Sequence, residues 1–293
     1  MMIEEFLNYL KYERNYSPRT LDSYGRDLRE FEDYFKNLDC HLSWETIDSD
    51  IIRDWMESMM DRGNTARSVN RRLSALRSFF RFALSRRLIE KDPSHLIRGP
   101  KAKKPLPYFL REKEMDELLD PRMWTDKYTD VLARTILIIL YETGIRVSEL
   151  TTLDDADVDF TSNTLKVTGK RNKQRIIPFG DEMKNTLLSY ISKRADEITR
   201  VEEGLLLDKK GHRLKNQQAA YLVKKNLSKV TTMKKRSPHV LRHTFATTML
   251  NHHAGLESVR QLLGHASIST TEVYTHTTFE QLKEEYKSAH PRA

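Results

Sequence analysis

Apolar residues recur at helical spacing over the first 90 positions. Phe6, Leu7 and Leu10 mark one side of a helix from Ile3 to Arg14. Ser17-Pro18 predicts the start of a second. A hydroxyl at the N-cap accepts from a free backbone N–H, and proline at the first helical position has no N–H to lose. Leu21, Tyr24, Leu28, Phe31, Tyr34 and Phe35 carry that helix onward. Ile47, Ile51, Trp55 and Met59, each four apart, mark a third over 46–62, which Gly63-Asn64 ends. A fourth covers 65–88, with Leu73, Leu76, Phe80 and Leu84 apolar and Arg67, Arg71, Arg72 and Arg77 between them. No strand pattern interrupts these four, so 1–90 reads as a helical bundle-like domain.

The period is then lost. Residues 91–107 hold Pro93, Gly99, Pro100, Pro105 and Pro107 and read as a linker, made basic by Arg98, Lys101, Lys103 and Lys104. A second domain spans 108–293. It opens with a short helix over 111–119 and a strongly apolar one over 129–142, closed by Gly144 as a left-handed cap. Three β-branched or alternating runs, 158–160, 164–168 and 174–178, predict a small antiparallel sheet with turns at Thr161-Ser162-Asn163 and Arg171-Asn172. Helical patterns resume at 181–193 and 216–230. Ser237-Pro238 predicts another capped start, followed by the stripe Leu241, Phe245, Met249. Leu262-Leu263-Gly264 reads as a helix end, and Ser269 to Glu272 fits a capping box. Phe279, Leu282, Tyr286 and Ala289 line one face of a terminal helix over 278–289. The fold class is mainly α with a small antiparallel β-sheet, in two domains.

Composition changes the picture in two ways. Lys and Arg number 50 against 42 Asp and Glu, a net charge of +8 that favours an acidic partner such as nucleic acid. A single cysteine, Cys40, excludes an intramolecular disulfide and a cysteine-rich zinc site. The start carries no basic region before an apolar core, and the longest apolar run, 136–141, is too short to span a bilayer. A soluble cytoplasmic protein with no membrane contact is the expectation.

One placement of charge stands out. His239 and Arg242 fall on the first turn of a helix, where the macrodipole favours anions. A bound phosphate resolves the conflict, because helix N-termini and arginine forks both suit phosphate oxygens. Lys224, Lys225, Lys229, Lys234, Lys235 and Arg236 run up to that helix and suit phosphates nearby.

These residues carry a resemblance. His239-Val240-Leu241-Arg242, then Gly264-His265, then Tyr274 nine residues beyond, is similar to the C-terminal signature of the tyrosine recombinases, the family of phage integrases, Cre and the bacterial Xer proteins. Arg146, in TGIRVSEL, matches the family's first arginine, with Glu149 three residues on as a supporting carboxylate. Lys170, in TGKRNKQRIIP, matches the family's hairpin lysine. The usual pattern there is G-K-G-x-K. Arg171 stands in place of the second glycine, so Asn172, which tolerates positive φ, is the candidate turn residue. The working lysine is Lys170 or Lys173, and Lys170 is the better match.

The resemblance covers the whole chain and its ending is Xer-like. It implies an N-terminal helical SAM-like core-binding bundle, a mixed α/β catalytic domain and a C-terminal helix that docks on a neighbouring protomer. It also implies a catalytic set of Arg146, Lys170, His239, Arg242, His265 and the nucleophile Tyr274. The reaction would be metal- and ATP-independent cleavage and rejoining of double-stranded DNA at a specific site, through a 3′-phosphotyrosyl bond. The working form would be a homo- or hetero-tetramer on DNA with a related recombinase, as in chromosome dimer resolution or mobile-element integration. Dimer-resolving members also work with a septal DNA translocase. Arg67, Arg71, Arg72, Arg77, Lys101, Lys103, Lys104, Lys173, Lys234, Lys235 and Arg236 are the candidate DNA contacts. Two other readings are a non-catalytic DNA-binding relative and a topoisomerase-like relaxing enzyme. A zinc site on His239 and His243 is disfavoured by Arg242 between them, and no cofactor is expected.

Overall fold

Four helices build the N-terminal part of the chain: α1 (Met2–Tyr12), α2 (Pro18–Leu38), α3 (Ser49–Asp61) and α4 (Ala66–Ser85). The computed structural model describes residues 2–102, 108–169, 172–264 and 276–293, with the backbone alone for 276–278. Each of α2, α3 and α4 begins on a short polar side chain. Ser17 Oγ accepts from Thr20 N–H, Asp48 accepts from Asp50 and Ile51, and Thr65 accepts from Ser68. The core between them is aromatic: Phe6, Phe31, Phe35, Trp44, Trp55, Phe79 and Phe80. Phe6 and Phe79 meet edge to face at 5.5 Å, a geometry that stabilises by about 1 kcal/mol beyond the area buried. Leu84, expected inside, is 41% exposed, because Phe82 and Ala83 of the same last turn take the core-facing positions and turn Leu84 to the other side of the helix.

The chain divides into two compact units, Met1–Pro105 and Leu106–Ala293. The first holds more than the helices. Ile89 and Ile97 enter the aromatic core, Arg77 donates to the Ile97 carbonyl, and Asn70 Nδ2 donates to the Pro100 carbonyl at 2.8 Å. Two isolated isoleucines among prolines show no period, so this anchoring is invisible to a pattern search.

In the second unit, α5 (Glu112–Leu119), α6 (Tyr128–Thr143) and the single-turn α7 (Val147–Leu150) come first. Strands β1 (Val158–Asp159), β2 (Thr164–Thr168) and β3 (Gln174–Pro178) follow. Then come α8 (Asp181–Glu197), α9 (Asn216–Val230), α10 (Pro238–Asn251), α11 (Leu256–Leu263) and α12 (His276–Ala289). The axis is α6. It is apolar almost all round, as a helix buried on every side must be, and α8, α9 and α10 pack on it.

The sheet is antiparallel in the order β1-β2-β3. Val167 pairs with Arg175 and Leu165 with Ile177. All four point inward, so the buried row carries one charged side chain, Arg175. Asn172 adopts φ +58 at the β2–β3 hairpin and Gly169 N–H donates to the Lys173 carbonyl at 2.8 Å, which makes the asparagine the turn residue.

Leu282, Tyr286 and Ala289 of α12 join the core of their own unit, where Tyr286 and His290 stack at 5.2 Å. Arg292 then pairs with Glu182 and with Asp116. Among the described residues no helix is long and apolar enough to cross a membrane.

Candidate active site

The site begins where α6 stops. Gly144 closes that helix at φ +60, in the left-handed conformation that favours glycine, and a Cβ there would lie 2.5 Å from the Phe245 ring. The chain turns and places Arg146 at the N-cap of α7. Glu149, at the third helical position, reaches back to accept the Arg146 backbone N–H at 2.8 Å and its guanidinium at 2.9 Å. Reciprocal capping of this kind fixes a turn, and here it also fixes the direction of a cation.

Two more arginines converge on the same place. Arg175, from β3, forks onto Glu149 at 3.2 and 2.9 Å and donates Nε to the Leu262 carbonyl at 2.8 Å. Arg242, from the first turn of α10, donates to the Gly144 carbonyl at 2.7 Å and to the Leu263 carbonyl at 2.6 Å. The last carbonyls of α11 have no partner within the helix, and the two guanidinium groups satisfy a pair of them. Gly264 then ends α11 at φ +64.

The electrostatics are one-sided. Three guanidinium groups surround one carboxylate, and Glu149 and Arg242 are 4% and 8% exposed. Burial alone would push the Glu149 carboxyl up. The hydrogen bonds and charge of Arg175, then those of Arg146, outweigh burial and hold it below the ordinary range. Burial, then repulsion from Arg146, brings Arg242 down to about 10, still protonated at neutral pH. A half-buried site with surplus positive charge is built to receive an anion.

His239 is exposed on the same first turn of α10. One turn on, burial and then His239 lower the pKa of His243, which keeps that imidazole neutral. Ser237 occupies the N-cap position, but its hydroxyl makes no capping bond, and its Oγ is buried with no partner among the described residues. Lys170, His265 and Tyr274 lie outside the described residues, as do Lys103 and Lys104.

The remaining sequence candidates divide by their partners. Arg67, Lys101, Lys173, Lys234 and Lys235 are exposed and Arg236 is partly buried. Arg71 forks onto the buried Asp27 and bonds Ser23, Arg72 pairs with Glu30 at 2.8 Å, and Arg77 holds the Ile97 carbonyl. These three guanidinium groups fasten the helical unit together. Arg175 was not among the candidates. Its signal lay in the alternation of QRIIP, which puts a cation on the same face as Ile177.

Residues 108–281 match the phage integrase family, and residues 3–87 match the phage integrase N-terminal SAM-like domain. The chain is 38% identical to tyrosine recombinase XerD of Oceanobacillus iheyensis, over 99% of this chain and 98% of that protein. It is 36% identical to tyrosine recombinase XerC of Chlorobaculum tepidum, over 99% of this chain and 94% of that one. Among solved structures, the Tn1549 transposon integrase in complex with circular intermediate DNA aligns with a TM-score of 0.73 at 19% identity, over 96% of this chain and 98% of that one. XerH bound to a palindromic difH substrate aligns with a TM-score of 0.72 at 22% identity, over 96% and 83%. At those identities the two structures speak for the fold.

Proposed function

The chain belongs to the phage integrase family and is a site-specific tyrosine recombinase, an enzyme that cleaves and rejoins DNA strands, and from that premise we propose how its residues divide the work. Tyr274 Oη attacks the scissile phosphorus. A P–O bond to tyrosine forms as the bond to the 5′ oxygen breaks, leaving a 3′-phosphotyrosine. Rejoining reverses the step with an incoming 5′ hydroxyl, and because the diester is kept throughout, no ATP is consumed.

Arg146 and Arg242 bind the nonbridging oxygens and offset the charge of the pentacovalent transition state. A free tyrosine has a pKa of about 10, so the surrounding cations are needed to favour its phenolate. His239 serves as acid or base for the tyrosine proton, Lys170 gives a proton to the departing oxygen, and His265 donates a hydrogen bond to the phosphate. Glu149 keeps Arg146 in place without touching DNA. The observation that carries this assignment is the convergence of Arg146 and Arg242, distant in sequence, on the turn at 144–149.

The partner is a double-stranded recombination site. The first unit supplies core-DNA contacts through Arg67, and the connecting segment through Lys101, Lys103 and Lys104. The second supplies Lys173, Lys234, Lys235 and Arg236 beside the scissile phosphate. Contacts of this type give affinity and salt dependence rather than sequence readout. The enzyme acts in the cytoplasm as a tetramer on paired sites. The relatives carry both the XerC and the XerD name, which suits one half of a two-recombinase system coupled to a septal DNA translocase.

Trapping tests it. Wild-type protein incubated with fragments of its own genome, then denatured, should carry covalently attached DNA whose sequenced ends map to a discrete site. Adducts scattered without site dependence would point instead to a relaxing enzyme, and no adduct at all would remove the cleavage assignment.

A further inference from the structure

A guanidinium buried on the inward face of a sheet is costly unless its donors are used. Arg175 is 8% exposed and shares that face with Val167 and Ile177, yet its side-chain hydrogen bonds all leave the sheet. Its side-chain bonds run to two other elements. Two donors hold Glu149, the carboxylate that orients Arg146. Nε holds the carbonyl of Leu262 in the last turn of α11. The guanidinium lies 3.0–3.2 Å from where a Cβ on Gly264 would be, and 3.7 Å from that position on Gly169. One side chain therefore meets the base of the hairpin that leads to Lys170, the support of Arg146, and the glycine that precedes His265.

We propose that Arg175 is a positioning residue for strand cleavage, which locks Glu149, and through it Arg146, in register with the hairpin and with the end of α11. The inference rests on the reading of Arg146, Lys170, His265 and Tyr274 as one cleavage site. Arg175 acts through Glu149 and the Leu262 carbonyl rather than on the phosphate. A lysine cannot replace it, because an ammonium has no planar fork to hold both carboxylate oxygens while a third donor reaches a carbonyl. Among the described residues, the charged groups facing Glu149 are Arg146 of its own turn, Arg175 of β3 and Arg242 of α10. Without Arg175, burial regains control of the carboxyl and its pKa rises, so Glu149 takes up a proton and loosens Arg146 as pH falls.

The test uses the full chain and a nicked suicide duplex carrying the sequence at which wild-type protein is trapped. Single-turnover adduct formation is followed against pH for wild type, Arg175→Met, Arg175→Lys and the double variant Arg175→Met/Glu149→Gln. Arg175→Met is expected to slow the adduct roughly 10–100-fold, the usual effect of losing a partner that orients an active-site group. Duplex affinity should stay within about twofold, since binding rests on the phosphate contacts made elsewhere. Its rate should acquire a falling acidic limb that wild type lacks in the same range, and the double variant should lose that limb. Arg175→Lys keeps a charge beside Glu149 but loses the fork and the Leu262 bond, so it should slow the adduct too with a weaker limb, and it decides the matter if the methionine variant fails to fold. A wild-type rate in the variants overturns the inference, and so does a slower rate with an unchanged pH profile that only follows a lowered melting temperature. Absence of adduct with wild type itself overturns the cleavage reading, and the inference with it.

Discussion

Arg242 and Gly144 lie 98 residues apart in sequence, and the guanidinium of one donates to the carbonyl of the other at 2.7 Å. The bond ties the first turn of α10 to the end of α6, two residues before Arg146. A second bond from the same guanidinium holds the Leu263 carbonyl. Arg242 is thus both a phosphate ligand in the proposed reaction and a fastener of the backbone around the phosphate. Arg242→Lys keeps the charge but loses the geometry of both bonds. It should abolish adduct formation and destabilise the second unit by about 1–3 kcal/mol, the cost of leaving buried acceptors unmet. Full cleavage activity with unaltered thermal unfolding would show that the fork is dispensable.

Tyr274→Phe removes only the nucleophilic oxygen. The variant should bind the duplex with wild-type affinity in a gel-shift titration and give no covalent product on a denaturing gel. A phenylalanine variant that still formed the adduct would move the nucleophile to another residue.

Glu142 gives the second unit a pH dependence. The carboxyl is fully buried on α6, where Oε2 accepts from Gly180 N–H at 3.1 Å and from the Tyr286 hydroxyl at 3.4 Å. Burial, with Glu182 nearby, pushes it up to about 8 despite the Gly180 bond and the charge of Arg292. A raised folded-state pKa means the unfolded chain ionises first as pH rises. The stability contributed by the neutral carboxyl is therefore full below its ordinary value of 4.5 and is lost progressively up to about 8. Burial also pushes His290 down to about 3, which works in the opposite direction below pH 6.5 and is common to both proteins compared. Glu142→Gln stays neutral throughout. Relative to wild type it should gain on the order of 3 kcal/mol between pH 5 and pH 8, measured by denaturant unfolding of the second unit. Parallel pH curves for the two proteins would place the ionised carboxylate in the fold.

The arginines of α4 should separate by function. Arg67 is exposed, and Arg67→Ala should weaken duplex binding across sequences and reduce the salt slope by about one, leaving stability unchanged. Asp27 is 3% exposed beneath Arg71 and Arg72. Asp27→Ala should destabilise the first unit by about 1–2 kcal/mol, because it removes the carboxylate onto which Arg71 forks while Arg72 keeps Glu30. Thermal unfolding and binding titrations on the two variants give the comparison. A stable Asp27→Ala protein would mean that the pair adds nothing to the bundle.

Much of this was legible from residue order. Helix starts at Ser17 and Thr65, the left-handed ends at Gly144 and Gly264, and the turn at Asn172 each follow from the chemistry of one or two neighbouring residues. The three strands and the apolar helix α6 follow from periods that span a few turns at most. The fixed spacing of His239, Arg242, His265 and Tyr274 could be read in the same way, and it pointed to the family.

What the order of residues left open was pairing across distance. Arg71, Arg72 and Arg77 look like Arg67 on paper, and only the packing of α2 and of residues 97–100 against α4 supplies their carboxylate and carbonyl partners. Ser237 looks like Ser17, yet its hydroxyl makes no cap. Arg175 reads as one more cation in a basic hairpin, until the sheet closes over it and Glu149 and Leu262, from two other elements, arrive to meet it. Local sequence determined the elements, their caps and the chemical types at the site, because those depend on interactions within a few residues. Tertiary structure decided which charges are paired and which remain for a ligand, because a guanidinium takes its role from whatever the fold brings within about 3 Å of it.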